Sequence, residues 1–329
     1  MRQMVGLFLL AVSLVVMVIV SLQTGAVKVT FGETVNALLG RCHSVNCIVV
    51  LDSRLPRTLA GLLAGTALGV AGALMQTLTR NPLADPGLLG VNAGASFAIV
   101  LGIAFFGAQT PADYLVFAFA GAFLAAALVA VTGLATGAQF SPLRLVLVGV
   151  ALAAVLEGVG SGISLLNPLV YDQVRYWQAG SLDVRGLGQL QLASAPVLVG
   201  LGLALMLARS LDSIGMGGDL ALALGTRVGR TQLLGLLAIA LLCGAATAVV
   251  GPVAFVGLMI PHLARWIAGP VHRRMLPWTL LLTPLLLLCA DVLGRVVAPA
   301  ELRVSVMTAL LGAPVLIVLA RRPRGGAGQ

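Results

Sequence analysis

The chain has 329 residues, of which 59% are hydrophobic and only 9% charged. Water-soluble domains carry about 25% charged residues, so with a mean hydropathy of +1.06 a soluble fold is excluded. The formal net charge of +9 comes from positives scattered over the ends of apolar runs; that excludes a nucleic-acid patch and fits charges that orient a membrane protein.

Several apolar runs of roughly 20 residues can each cross a ~30 Å hydrocarbon core, and ~10-residue alternating strands of a membrane barrel are missing. The pattern predicts an all-α polytopic membrane protein of about ten transmembrane helices, near 4–22, 55–78, 87–107, 114–134, 144–166, 190–208, 229–249, 254–268, 275–293 and 305–320. The first run, Met4 to Leu22, is longer than a signal-peptide core and is followed by no small-x-small cleavage site, so it is read as a span. An even number of spans puts both termini on one side, and the Arg321, Arg322 and Arg324 cluster places that side in the cytoplasm.

Residues 23–53 form a mixed-polarity outer segment. Cys42 and Cys47 lie in it, where a disulfide persists, and their spacing permits one. A metal site is not expected there, because His43 is the only further ligand nearby. Arg54 and Arg57 begin the second span and Arg295 ends the ninth, all on the outer face, against the orientation rule. Three readings are open: snorkelling to lipid phosphates, docking of carboxylates on an external partner, and attraction of an anionic cargo. Gly61, Gly65 and Gly69, with Gly72 near the same face, let helix backbones approach closely, either within the chain or at a subunit interface.

Asn81-Pro-Leu-Ala-Asp-Pro86 reads as a helix stop and restart on the inner side. Glu157 lies deep in the fifth span, followed by Gly158, Gly160 and Gly162. It is read either as a proton-coupling group or as a buried acid hydrogen-bonded to a neighbouring helix. The longest inner connection, 209–229, has glycines around a short apolar piece, Leu220 to Leu224, too short to span anything. It is expected to touch another protein through Asp219, Leu220, Leu222, Leu224, Gly225, Arg227 and Arg230. The prolines of Gly251-Pro-Val-Ala-Phe-Val-Gly257 and Ile260-Pro-His-Leu-Ala-Arg265 break the eighth span, and the tail 323–329 is expected to be disordered. A P-loop requires a lysine in G-x4-G-K-[ST], and the only lysine, Lys28, has no such context. The chain is therefore expected to be a transporter subunit, not an enzyme, and to borrow its energy.

The stretch Arg54 to Ala95, RLPRTLAGLLAGTALGVAGALMQTLTRNPLADPGLLGVNAGA, resembles the FecCD family of ABC-importer permeases, which carries ferric siderophores, haem and cobalamin inward. Residues 251–262 match that family's G-P-[IV]-[AS]-F-[IV]-G-L-x-x-P-H pattern, and Cys42-His-Ser-Val-Asn-Cys47 and Gln178-Ala-Gly-Ser-Leu-Asp183 are most like its catecholate-carrying members. The resemblance implies a single transmembrane permease domain over 1–329 with the cobalamin-permease-like fold of a type II importer. It implies a bacterial inner-membrane location, and a pathway shared with a second, homologous permease subunit, a heterodimer. It further implies two copies of a cytoplasmic ATP-binding subunit, a periplasmic substrate-binding protein, and a ferric siderophore as cargo: ferric enterobactin or a similar catecholate. No cofactor, resident metal or nucleic acid is implied, and lipid is the surrounding medium.

Residue by residue, the resemblance has Arg54, Arg57 and Arg295 receiving glutamates of the binding protein. Asn81 and Leu83 form a cytoplasmic gate, and Pro142 and Leu143 stand at a second gate element, where cobalamin-type relatives more often have small polar residues. The 219–230 segment becomes the coupling element for the ATPase. The competing readings are an ion-coupled secondary transporter, for which Glu157 is the sole coupling candidate, a membrane scaffold without transport, and a permease for haem or another ferric chelate.

Overall fold

The computed structural model describes residues 2–41, 45–134, 141–298 and 301–321, all helical or irregular. Among the described residues, seven helices are long and apolar enough to cross a membrane, and three shorter apolar ones bring the number to the expected ten. In chain order the long ones are α1 (Arg2–Gln23), α4 (Leu55–Leu78), α6 (Pro111–Leu134), α7 (Pro142–Leu166), α9 (Gly188–Gly215), α11 (Val228–Val250) and α13 (His272–Val297). The shorter apolar ones are α5 (Val91–Phe106), α12 (Val256–Ala268) and α14 (Val304–Arg321).

Four further helices complete the described residues, three of them unforeseen and the fourth, α10, expected as a short inner turn. α2 (Phe31–Leu38) and α3 (Val45–Ile48) fold the outer segment, and a π-helical turn, Val49–Arg54, carries it without a break into α4. α2 opens on a capping box, with Thr30 and Glu33 exchanging hydrogen bonds. The backbone and side-chain donors of Thr30 and the amide of Asn46 hold the Glu33 carboxyl below its usual range. α8 (Pro168–Gln178) is an amphipathic helix after α7, and α10 (Gly218–Ala223) is the short inner piece.

Two predicted span starts move inward along the chain for local reasons. Asp85 caps a 3-10 turn, Pro86–Leu89, and Gly90 takes a left-handed conformation, so α5 begins at Val91. After α11, residues 251–254 are non-helical, and Phe255, with φ of 68°, turns the chain into α12. The 13 residues of α12 rise only about 20 Å, too little to cross alone. The non-helical piece is held inside protein: Ser181 N donates to Val250 O at 2.7 Å, and Gly251 backs onto the Trp177 carbonyl. Non-helical backbone at membrane depth is tolerated in that setting.

α4 and α11 are buried along most of their length and form the hub, with α9, α12 and α13 around α4 and the α5–α6 pair beside α11. The glycine ladder of α4 is an intrachain seam. Gly61, Gly65 and Gly69 face Leu288, Pro284 and Thr283 of α13, and Gly72 meets the Gly257 carbonyl of α12. A Cβ on Gly72 would stand 1.8 Å from that oxygen, which belongs to backbone and has no rotamer to escape into. Gly72→Ala should therefore cost about 1–3 kcal/mol by overpacking, read as a lower aggregation temperature of the purified protein. Gly202→Ala, whose Cβ would meet nothing within 4 Å, should leave that temperature unchanged.

Candidate functional site

The helix ends sort into two opposite poles. At one, the end of α1, the start of α4, the end of α13 and residues 301–303 meet. At the other, the end of α4, the end of α9 and the start of α13 meet, with α10 beside them. This is the alternation expected from the sequence, and the first pole is the predicted outer one.

Arg54, Arg57 and Arg295 do gather at that outer pole, but the expectation of exposed guanidinium groups is corrected. Arg54 is 4% and Arg57 8% exposed, and the Arg295 side chain 2%. Arg57 forks onto Asp291, with NH2 2.8 Å from Oδ1, and reaches Glu301 at 2.9 Å through NH1. Arg295 holds the other Asp291 oxygen at 2.6 Å and donates to the Ser21 and Thr24 carbonyls. Arg54 donates to the carbonyls of Leu22, Gln23 and Val27. The last turn of α1 has no basic residue of its own, and helix ends leave carbonyls without partners. Arg54 and Arg295 supply donors there, tying α1 to α4 and α13, while Arg57 ties α4 to α13 through Asp291. A carboxylate on another protein would have to displace Asp291 or these carbonyls to reach them. Asp291, within the predicted ninth span and four residues before Arg295, was the sequence signal for this arrangement.

α7 stands at the edge of the bundle, with only Leu145, Gly149, Gly160 and Ser164 buried. α1 is equally exposed, but its outer face is Phe8, Val12, Val15 and Val16, which suits lipid. The α7 face is different. It carries Glu157, exposed, beside Gly158 and Gly162, neither of which has anything within 4 Å of a built Cβ. The reading of Glu157 as a buried, hydrogen-bonded acid is corrected: among the described residues it makes no hydrogen bond. An acid at mid-span cannot face hydrocarbon cheaply, so this face meets protein or water. A cavity of about 350 Å³ between α5, α7 and α8 runs along it, with Glu157, Ser161 and Ser164 on α7 and Arg175 on α8 in its walls. Gln178 and Ser96 close one side with a 2.7 Å hydrogen bond.

At the opposite pole, the Asn81 side chain accepts from Leu83 N at 3.0 Å and Asp85 from Gly87 N at 2.8 Å, which shapes the turn between α4 and α5. Burial pushes the Asp85 carboxyl above its usual range, against the Gly87 donor that lowers it. α7 crosses this turn closely enough that a Cβ on Gly149 would lie 1.9 Å from the Leu88 carbonyl. Asn81, Leu83 and Leu143 are exposed and Pro142 half-buried, all at this pole on adjoining segments.

α9 runs to Gly215, so the inner connection is shorter than 209–229, and α10 occupies its centre. Gly217 and Gly225, with φ of 124° and 76°, turn the chain at its two ends. Asp219 lies in its first turn, Ala221 is its buried contact, and Leu220, Leu222 and Leu224 are 48%, 60% and 58% exposed. Arg227 and Arg230 are exposed beside them at the start of α11. Behind α10, the buried His272 links Asp212 of α9, 2.6 Å from Nδ1, to Thr77 of α4, 2.8 Å from Nε2.

Cys47 is buried and disulfide-bonded, and its expected partner Cys42 lies outside the described residues, as does the tail 323–329. Among the described residues no group of three or more metal-ligating side chains occurs.

Comparison with known proteins follows the same lines. The family model described as the FecCD transport family matches residues 13–322. The ferric enterobactin transport system permease protein FepD of Escherichia coli is 62% identical over 323 residues, covering 98% of this chain and 96% of that protein. The iron(3+)-hydroxamate import system permease protein FhuB of Bacillus subtilis is 38% identical over 84% of this chain and 72% of its own. Among solved structures, an inward-facing metal-chelate type ABC transporter superposes with a TM-score of 0.85 at 28% identity, covering 96% of this chain and 99% of that one.

Proposed function

The chain belongs to the FecCD transport family, and from that membership we propose that it is the permease subunit of an ABC importer for a ferric siderophore. The cargo is ferric enterobactin or a similar catecholate, moved from periplasm to cytoplasm. The observation that carries the reading is 62% identity to a ferric enterobactin permease over nearly the whole of both chains.

The geometry supports a division of labour. The exposed face of α7, largely apolar but carrying Glu157, Gly158 and Gly162, suits a second permease subunit, a different homologous chain, with the pathway between the two. The leucines of α10 and the adjoining Arg227 and Arg230 suit a cleft on a cytoplasmic ATP-binding subunit, one copy beneath each permease. Asn81 and Leu83, with Pro142 and Leu143, stand where the pathway would close on that side. A periplasmic binding protein would deliver cargo at the outer pole, where the buried arginines keep the landing surface rigid and leave the docking contacts to side chains that are exposed. Both termini then lie in the cytoplasm, and the chain does no covalent chemistry of its own.

Uptake by the complete importer should favour a ferric catecholate over ferric hydroxamate, ferric citrate and haem by about tenfold or more, a difference of ~1.4 kcal/mol. Labelled chelates presented with their binding protein provide the measurement. Equal or better uptake of haem or a hydroxamate chelate would move the assignment to another member of the same family.

A further inference from the structure

α8 is a ridge at the outer pole. It buries Val170 and Val174 and turns Tyr171, Arg175 and Tyr176 outward. Arg303, just before α14, reaches over it: NH1 donates to the Tyr176 carbonyl at 2.8 Å, and the guanidinium lies 4.0 Å from the centre of the Tyr176 ring. The Arg175 guanidinium lies 5.9 Å from the Tyr171 ring. Two cavities of about 360 and 780 Å³ meet along the ridge and share Gln173, Tyr176 and Arg303 in their walls. Trp177 lines the first, its indole N–H without an acceptor among the described residues, and Arg185 joins the same wall. The acids that face these cavities are Asp183 and Asp172, the latter 3.9 Å from Arg175 in an exposed pair that water weakens. Three guanidinium groups thus face these two carboxylates, and Glu157 shares the α7 cavity with Tyr171 and Arg175.

The chemistry of this surface is specific. A guanidinium fixed over an aromatic face keeps its free N–H edges for oxygen anions, while the exposed rings offer stacking area. A small inorganic anion would have no use for the rings, and a neutral aliphatic chelate would have no use for the charge. An iron(III) tris-catecholate combines anionic phenolate oxygens around the metal with aryl rings at its edge. Resting on the catecholate reading above, we propose that Tyr171, Arg175, Tyr176 and Arg303 form a receiving site for an anionic, aryl-oxygen ferric chelate. It holds the cargo between release from the binding protein and entry to the α7 pathway, and it selects catecholates over neutral chelates.

Trp177 is the reporter, since the chain's other tryptophans, Trp266 and Trp278, lie toward the opposite pole. The complete importer in nanodiscs should show saturable quenching by an iron(III) tris-catecholate of 2,3-dihydroxybenzamide, and Trp177→Phe should abolish it. Arg303→Gln and Tyr176→Ala should each raise the apparent Kd about tenfold, Tyr176→Phe should not, and added salt should weaken binding further. A neutral ferric hydroxamate should quench no more than buffer. Unchanged affinity in both Arg303→Gln and Tyr176→Ala, or equal quenching by the hydroxamate, would overturn the site. Loss of binding-protein docking with chelate affinity intact would overturn it too, making the ridge a protein-docking surface. Wild-type uptake of the same catecholate, measured in parallel, separates the two claims. Uptake without quenching sinks the receiving site alone, and failure of all catecholate uptake sinks the proposed cargo.

Discussion

Replacing Asp291 by Ala should destabilise the protein by about 3–5 kcal/mol, the usual cost of stripping one partner from a buried charge network. Asp291 is 1% exposed and is the carboxylate between Arg57 and Arg295. Without it Arg57 keeps only the half-exposed Glu301, and Arg295 keeps the Ser21 and Thr24 contacts, yet both charges stay buried. The link between α4 and α13 at this pole would then be lost. The measurement is the aggregation temperature of the purified protein together with its level in the membrane, and both should fall. A double variant, Asp291→Leu with Arg295→Met, removes one charge with its partner and should be less damaged than Asp291→Ala alone. Wild-type stability in Asp291→Ala would mean that the cluster does not hold this pole together.

The second large effect is expected at α10. Leu222 is 60% exposed, so Leu222→Asp should leave insertion and stability of the isolated chain unchanged. If Leu222 anchors in an ATPase cleft, its loss should cost about 2 kcal/mol or more of that contact, as buried anchors do, roughly 30-fold in affinity. ATP-driven uptake should fall at least about tenfold, and ATP hydrolysis should no longer respond to loaded binding protein. A crosslinker at Leu222 that reaches the ATPase in the wild-type complex supports the placement. Labelling of that position from the periplasmic side would reverse the topology.

Membrane class, the ten apolar segments and the inner α10 turn were legible because hydrophobic run length and glycine punctuation are local signals. α8 and the π-helical turn before α4 were not, since neither is long or apolar enough to stand out from a polar loop. The arginines show where local reading stops. Their positions at span ends were plain, and so was their clustering, but exposure depends on Asp291 and on α1 carbonyls distant in the sequence. Glu157 failed in the opposite sense. A lone acid in a span reads as buried, and only the placement of α7 at the bundle edge shows that its neighbours must come from another chain or from water.

Reconstituted uptake tests the central claim most directly. Proteoliposomes would hold this chain with its partner permease and ATPase, with ATP on the α10 side and chelate-loaded binding protein on the α8 side. Ferric catecholate should accumulate only with hydrolysable ATP and a competent ATPase, and accumulation should persist when the proton gradient is collapsed. Accumulation by the permease chains without the ATPase, abolished by collapsing the proton gradient alone, would contradict it.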